Sequence, residues 1–164
     1  MNFESQLTLT TSSNLIKIGN QIVADRMNDL LSDYNIFNQN VKGFHWNFMG
    51  PDFFDLHQKF EDLSGKLSQD IDKLAGLIAM TGFLPLHSYS DYLKYSNHKE
   101  ITGLNSDEEN VENVVNGLQK LIVSIRWTST EADDANDIIS GKLLTQLALE
   151  LENELWIFTM FAKY

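Results

Sequence analysis

Cysteine is absent from the 164 residues, which excludes disulfide staples, thiolate metal sites and a cysteine nucleophile. Proline occurs only at positions 51 and 85, so long stretches are free to run as uninterrupted helix. Basic residues are scarce: 12 Lys and Arg face 23 Asp and Glu, for a formal charge of -11. Such a surface repels nucleic acid and anionic membranes and attracts cations. No run of about 18 apolar residues offers a membrane span. The opening MNFESQLTLTTSSN has neither the basic stretch nor the apolar core of a secretion signal. These absences predict a cytoplasmic protein of one domain, 1–164, with residues 1–13 as a flexible N-terminal tail.

What is present is helical periodicity. Met27, Leu30, Tyr34, Phe37, Val41, Phe44 and Phe48 step by three and four, which predicts a helix A from about Asn14 to Met49. Gly50-Pro51-Asp52 breaks it. Leu56, Phe60, Leu63, Leu67, Ile71, Leu74 and Ile78 then mark helix B, which stops before Gly82 and Pro85. Ser106 followed by Glu109 reads as a capping box ahead of helix C, with Val111, Val114, Leu118, Leu121 and Ile125 on its stripe. Leu144, Leu147, Leu151, Leu155 and Phe158 carry helix D, expected to begin near Asp134. Two short turns and one long crossover among four helices predict an all-α, ferritin-like bundle in which B and C run parallel. The crossover, LPLHSYSDYLKYSN, has room for a short extra helix near Ser90 to Lys94.

The four histidines divide into two kinds. His87 and His98, in the crossover, have no carboxylate at helical spacing and are expected to carry no chemistry. On helix B, at about 100° per residue, Glu61 lies about 40° from His57 and Asp72 about 60° from it. All three share one face, which flanks the apolar stripe instead of pointing into it. His45, offset by one residue from the stripe of helix A, is the natural complementary ligand. Whether it reaches its own helix B or a neighbour's stays open at this level, and a flank site favours a neighbour across a symmetric interface. Imidazole nitrogen with carboxylate oxygen suits divalent first-row metals, iron among them. Taken alone, a His-x-x-x-Glu pair is more often a solvated ion pair, and a single histidine beside a tryptophan more often a packed one.

The combined pattern is more specific than its parts. His45-Trp46-Asn47 with Gly50, Phe53-x-x-Leu56-His57-x-x-Phe60-Glu61, Asp72, the crossover Pro85 to Leu93, and Trp156 together resemble the Dps proteins, mini-ferritins named for DNA protection in starved cells. The resemblance covers nearly the whole chain. It implies a four-helix subunit with a short crossover helix, assembled into a hollow homo-dodecamer. It implies that ferrous iron is oxidised between two-fold related subunits by hydrogen peroxide or dioxygen, and stored as ferric mineral. The metal ligands it implies are His45, His57, Glu61 and Asp72, with the two histidines expected from different subunits. Trp46, by default a packing residue, is in this family placed to scavenge an oxidising equivalent; Trp127 and Trp156 are expected in core or interface.

One residue departs from the family pattern. A Glu commonly follows the Asp by four residues, whereas this chain has Gly76, which cannot ligate iron and costs a helix roughly 1 kcal/mol relative to alanine. The alternative function is therefore a structural or metal-binding shell with weakened or lost ferroxidase activity. The acidic run Glu131 to Asp137 is expected at the start of helix D, where carboxylates offset the helix dipole. In the family this segment lines pores that draw iron inward, and Asp133, Asp134 and Asp137 are the candidates. DNA-binding members use lysine-rich termini, since phosphate contacts need positive charge. Residues 1–13 contain no lysine or arginine and the C-terminus only Lys163, so direct DNA binding is not expected.

Overall fold

A computed structural model describes residues 3–50, 53–103 and 106–162, with side chains from residue 20 onward. Its helices are α1 (Phe3–Asn47), α2 (Phe53–Met80), α3 (Tyr89–Tyr95), α4 (Asp107–Asp134) and α5 (Ile138–Phe161). No strand occurs among the described residues. The expected tail, residues 1–13, lies outside the described side chains, and α1 starts earlier than the apolar spacing alone predicts.

The predicted stripe of helix A is buried at every position from Met27 to Phe48. It packs with Leu56, Phe60, Leu63, Leu67, Leu74 and Ile78 of α2, with the α4 stripe, and with Leu144, Leu147, Leu151 and Phe158 of α5. Burying each such side chain stabilises by about 1.5–3 kcal/mol, so this shared core, rather than helix propensity, holds the bundle together. Phe60 and Phe158 lie near parallel, 11° apart with centroids at 6.0 Å, joining α2 to α5. Gly117 of α4 has a packing reason: a Cβ there would come within 2.1 Å of the Phe37 ring.

Two hairpins make the bundle. The Phe53 N–H donates to the Gly50 carbonyl at 3.2 Å and closes the α1–α2 turn. The Asp107 carboxylate at the start of α4 reaches this same turn, so close that a Gly50 Cβ would overlap it. Since α2 and α4 begin at one end, they run parallel, and the crossover must travel back along the bundle. It is pinned to α1 at three levels. Asn28 bonds the Leu84 carbonyl at 3.2 Å and the Leu86 N–H at 2.8 Å. Asp33 accepts from Ser96 Oγ at 3.0 Å, Asn97 N–H at 2.5 Å and Asn97 Nδ2 at 3.4 Å, and also from Ser124 Oγ of α4 at 2.8 Å. Asn40 bonds the Lys99 carbonyl and the Ile101 N–H at 2.9 and 3.0 Å. The crossover helix α3 is capped by Ser88, and the Ser106/Glu109 capping box at the start of α4 is complete.

The α4–α5 boundary differs from expectation. Asp133 and Asp134 end α4, and α5 starts at Ile138 with Asp137 as its N-cap, accepting from Ser140 N–H at 3.1 Å. Asn136 turns the chain at φ 56°, a left-handed conformation that asparagine tolerates after a helix. Only Asp137 therefore offsets a helix N-terminus. Asp133 and Asp134 sit at a C-terminus, where the dipole disfavours them. Trp46, Trp127 and Trp156 are 65%, 66% and 61% exposed, so none is a core residue of this subunit.

Candidate metal centre

His45 lies in the last turn of α1 and His57 in the first turns of α2, and the hairpin brings them together. Their rings stack with centroids 3.9 Å apart and planes 30° apart. His45 Nδ1 is 3.0 Å from the His57 carbonyl oxygen, and His57 Nδ1 is 3.1 Å from the His45 carbonyl oxygen. A carbonyl only accepts, so each Nδ1 carries the proton and donates it. In the neutral ring this tautomer leaves each Nε2 as the free lone pair, the form in which imidazole binds a metal. The expectation that the two histidines come from different subunits is thus corrected: both belong to one chain, because the tight turn at Gly50 folds the end of α1 onto the start of α2.

The carboxylates are distributed otherwise. Glu61, one turn beyond His57, is exposed and lies 3.4 Å from Gln58 Nε2. Asp72 is also exposed, but fifteen residues along a straight helix put it about 22 Å from His57. One chain cannot bring His57 and Asp72 to a single ion. Among the described residues no three His, Asp or Glu side chains converge on one point. Gly76 is exposed one turn beyond Asp72, with open space where a side chain would project.

Helical-wheel reasoning did not find the charged seam between α2 and α5. Asp70, almost fully buried, is 2.9 Å from Lys73, which also approaches Glu150 at 3.7 Å; Lys66 pairs with the buried Glu154. Burial pushes the Asp70 carboxyl upward and the hydrogen bond from Lys73 opposes it. Tyr34, beneath this seam, is raised well above its ordinary value by burial and by Asp70 and Glu150, and its hydroxyl has no partner among the described residues. The signal was available: Asp70 interrupts the apolar series between Leu67 and Leu74 at a core-facing position. His98 is buried against Phe37, with ring centroids 5.3 Å apart, and burial lowers it to about 4 against the pull of Asp33. It packs in its neutral form against the α1 core.

A ferritin-like domain model matches residues 24–163, which spans α2 to α5 and all of α1 from the start of its buried stripe. The DNA protection during starvation protein of Brevibacillus brevis is 33% identical over 86% of this chain and 95% of its own. The chain belongs to the Dps family of ferritin-like proteins. An uncharacterised protein of Haemophilus influenzae is 35% identical over 90% of this chain and 92% of its own. The solved structure of the Dps protein from Vibrio cholerae O1 superposes with a TM-score of 0.85 at 32% identity, covering 88% of this chain and 91% of that one. The Dps fold is thus carried here by a bundle whose histidine pair, with Glu61 one turn away, is far from Asp72 on the same helix. No helix of the described residues is long and apolar enough to cross a membrane.

Proposed function

We propose that this Dps-family chain is a cytoplasmic mini-ferritin that takes ferrous iron at sites shared between subunits, oxidises it, and holds the ferric product inside a hollow homo-dodecamer. The observation that carries the reading is the histidine pair. Its two Nδ1 atoms are committed to backbone carbonyls and its two Nε2 lone pairs are left for an ion, while the matching Asp72 lies about 22 Å away on the same helix. A second subunit is the natural source of the missing oxygens. In this scheme His45 and His57 bind the ion through nitrogen, Glu61 supplies an oxygen from the same helix, and Asp72 comes from the neighbour. Carboxylates favour the ferric over the ferrous state, because the more highly charged ion gains more from anionic oxygen.

Iron is the substrate. Each ferrous ion gives up one electron, so two of them with two protons reduce one hydrogen peroxide to two waters, and four with four protons reduce one dioxygen to two waters. Removing ferrous iron and peroxide together protects the cell against oxidative stress. Trp46, exposed and next to His45, is the proposed donor for an odd oxidising equivalent. Asp133, Asp134 and Asp137, at one turn between α4 and α5, are the proposed pore residues that draw cations inward. Protection of DNA would follow from chemistry alone, since a charge of -11 opposes direct contact with phosphate.

Gly76 favours a second reading, a shell that binds metal with weakened or lost oxidation. One experiment separates the two. Stopped-flow absorbance of ferric formation, with peroxide and with dioxygen, is run on fractions sized by light scattering. A single large closed oligomer with catalytic turnover is expected. Stoichiometric binding without turnover would mark the second reading, and an active monomer would contradict a shared site.

A further inference from the structure

We propose that Phe53 is a positioning residue for His57, holding its imidazole between two rings so that Nε2 is aimed before any ion arrives. The inference rests on the reading of the histidine pair as the iron-binding face. Phe53 is the first residue of α2, one helical turn before His57, and its ring stacks on the imidazole with centroids 4.8 Å apart and planes 23° apart. The His45 ring stacks on the same imidazole at 3.9 Å and 30°. Two rings this close to parallel cannot share one face, so His57 is clamped from both sides. Phe53 is itself held: its N–H donates to the Gly50 carbonyl at 3.2 Å, and its ring packs against Phe48 and Phe54 with centroids at 6.1 and 5.5 Å.

The stacking of Phe53 on His57 favours positioning over packing alone. At 37% exposed it lies at the edge of the core, touching Phe48, and the ring nearest to it is that of His57. A hydrogen bond through Nδ1 fixes which nitrogen is free but leaves the ring able to swing about that bond. A flat ring laid against its face removes this freedom. Orienting a ligand in advance spares the binding step the cost of ordering it, which is how groups outside the ligand set tune metal affinity.

Co2+, a spectroscopic stand-in for ferrous iron, tests this on the assembled protein. Its visible absorption is titrated for wild type, His57→Ala, Phe53→Ala, Phe53→Leu and Phe53→Tyr, with oligomer size and melting temperature measured on each. Phe53→Ala and Phe53→Leu are expected to weaken Co2+ binding about tenfold, within the range for groups that orient a ligand, and to alter the band intensity that reports ligand geometry. Phe53→Tyr, which keeps the flat ring, should restore both. If Phe53→Ala fails to assemble, the assembled Phe53→Leu protein decides. Wild-type affinity and band in Phe53→Leu, or no rescue by Phe53→Tyr, overturns the proposal while the iron-binding reading stands. Wild-type Co2+ binding that survives His57→Ala overturns both.

Discussion

Gly76→Glu is expected to tighten ferrous binding and to speed oxidation by about tenfold or more, and His57→Ala to abolish the wild-type and the enhanced activity alike. The new carboxylate would stand one turn beyond Asp72 and about 40° around the helix from it, close enough for both to approach one ion. Groups that only orient a ligand are worth about 10–100-fold in affinity, and an added oxygen ligand is expected to reach at least the lower end of that range. Space is not an obstacle, because nothing lies within 4 Å of a Cβ at this position. The glycine penalty in the helix, roughly 1 kcal/mol, is relieved as well. Added negative charge beside Asp72 takes back part of that gain until a cation binds. Calorimetric titration with ferrous iron under anaerobic conditions and stopped-flow oxidation give the two readouts. An unchanged affinity and rate in Gly76→Glu would mean that iron is not held on this face, or that the existing ligands already complete the site.

Asp33→Ala is expected to cost about 1–3 kcal/mol of stability and to loosen the crossover selectively. The carboxylate is fully buried and gathers donors from the crossover and from α4; its removal leaves half-buried Ser96 and Ser124 without that acceptor, while exposed Asn97 can turn to water. A fully buried donor left without a partner costs about 1–3 kcal/mol, and half-buried ones that water can reach cost less, so the whole loss stays near that range. Asp33→Asn keeps one acceptor oxygen and should fall between the two. Chemical denaturation measures the loss, and amide hydrogen exchange should accelerate over residues 96–101 before it does in α2. Uniform acceleration throughout the bundle would show that Asp33 stabilises the core generally and does not pin the crossover.

The parts legible in sequence were those set by local spacing. The α1 stripe needs only its three-and-four rhythm, and the Ser106/Glu109 box only two residues at the correct separation, so both survive in the structure. The α4–α5 boundary did not, because a run of carboxylates looks the same at the end of one helix as at the start of the next. Asn136, able to take a positive φ, was the better marker. Angles around a single helix also left the pairing of the histidines open. They place His57 on a flank but say nothing of how a tight turn folds another helix over it, and the contact with His45 arises only from that turn. The tryptophans stayed between core and interface for a related reason: bulk and apolarity predict burial without saying in which molecule it occurs.

The separation of His57 from Asp72 along one straight helix has a consequence for mixtures of chains. If each site takes its nitrogens from one subunit and Asp72 from a two-fold partner, every subunit contributes the two halves of two different sites. A shell of His57→Ala subunits has no complete site, and neither has a shell of Asp72→Ala subunits. Where the two variants meet across a two-fold axis, one of the pair of sites carries both lesions and the other carries none. Co-assembly at equal ratio, after dissociation and reassembly, should therefore return about a quarter of the wild-type sites, as random pairing of halves requires. Two inactive proteins would complement each other, and a site built within a single chain would show no such recovery.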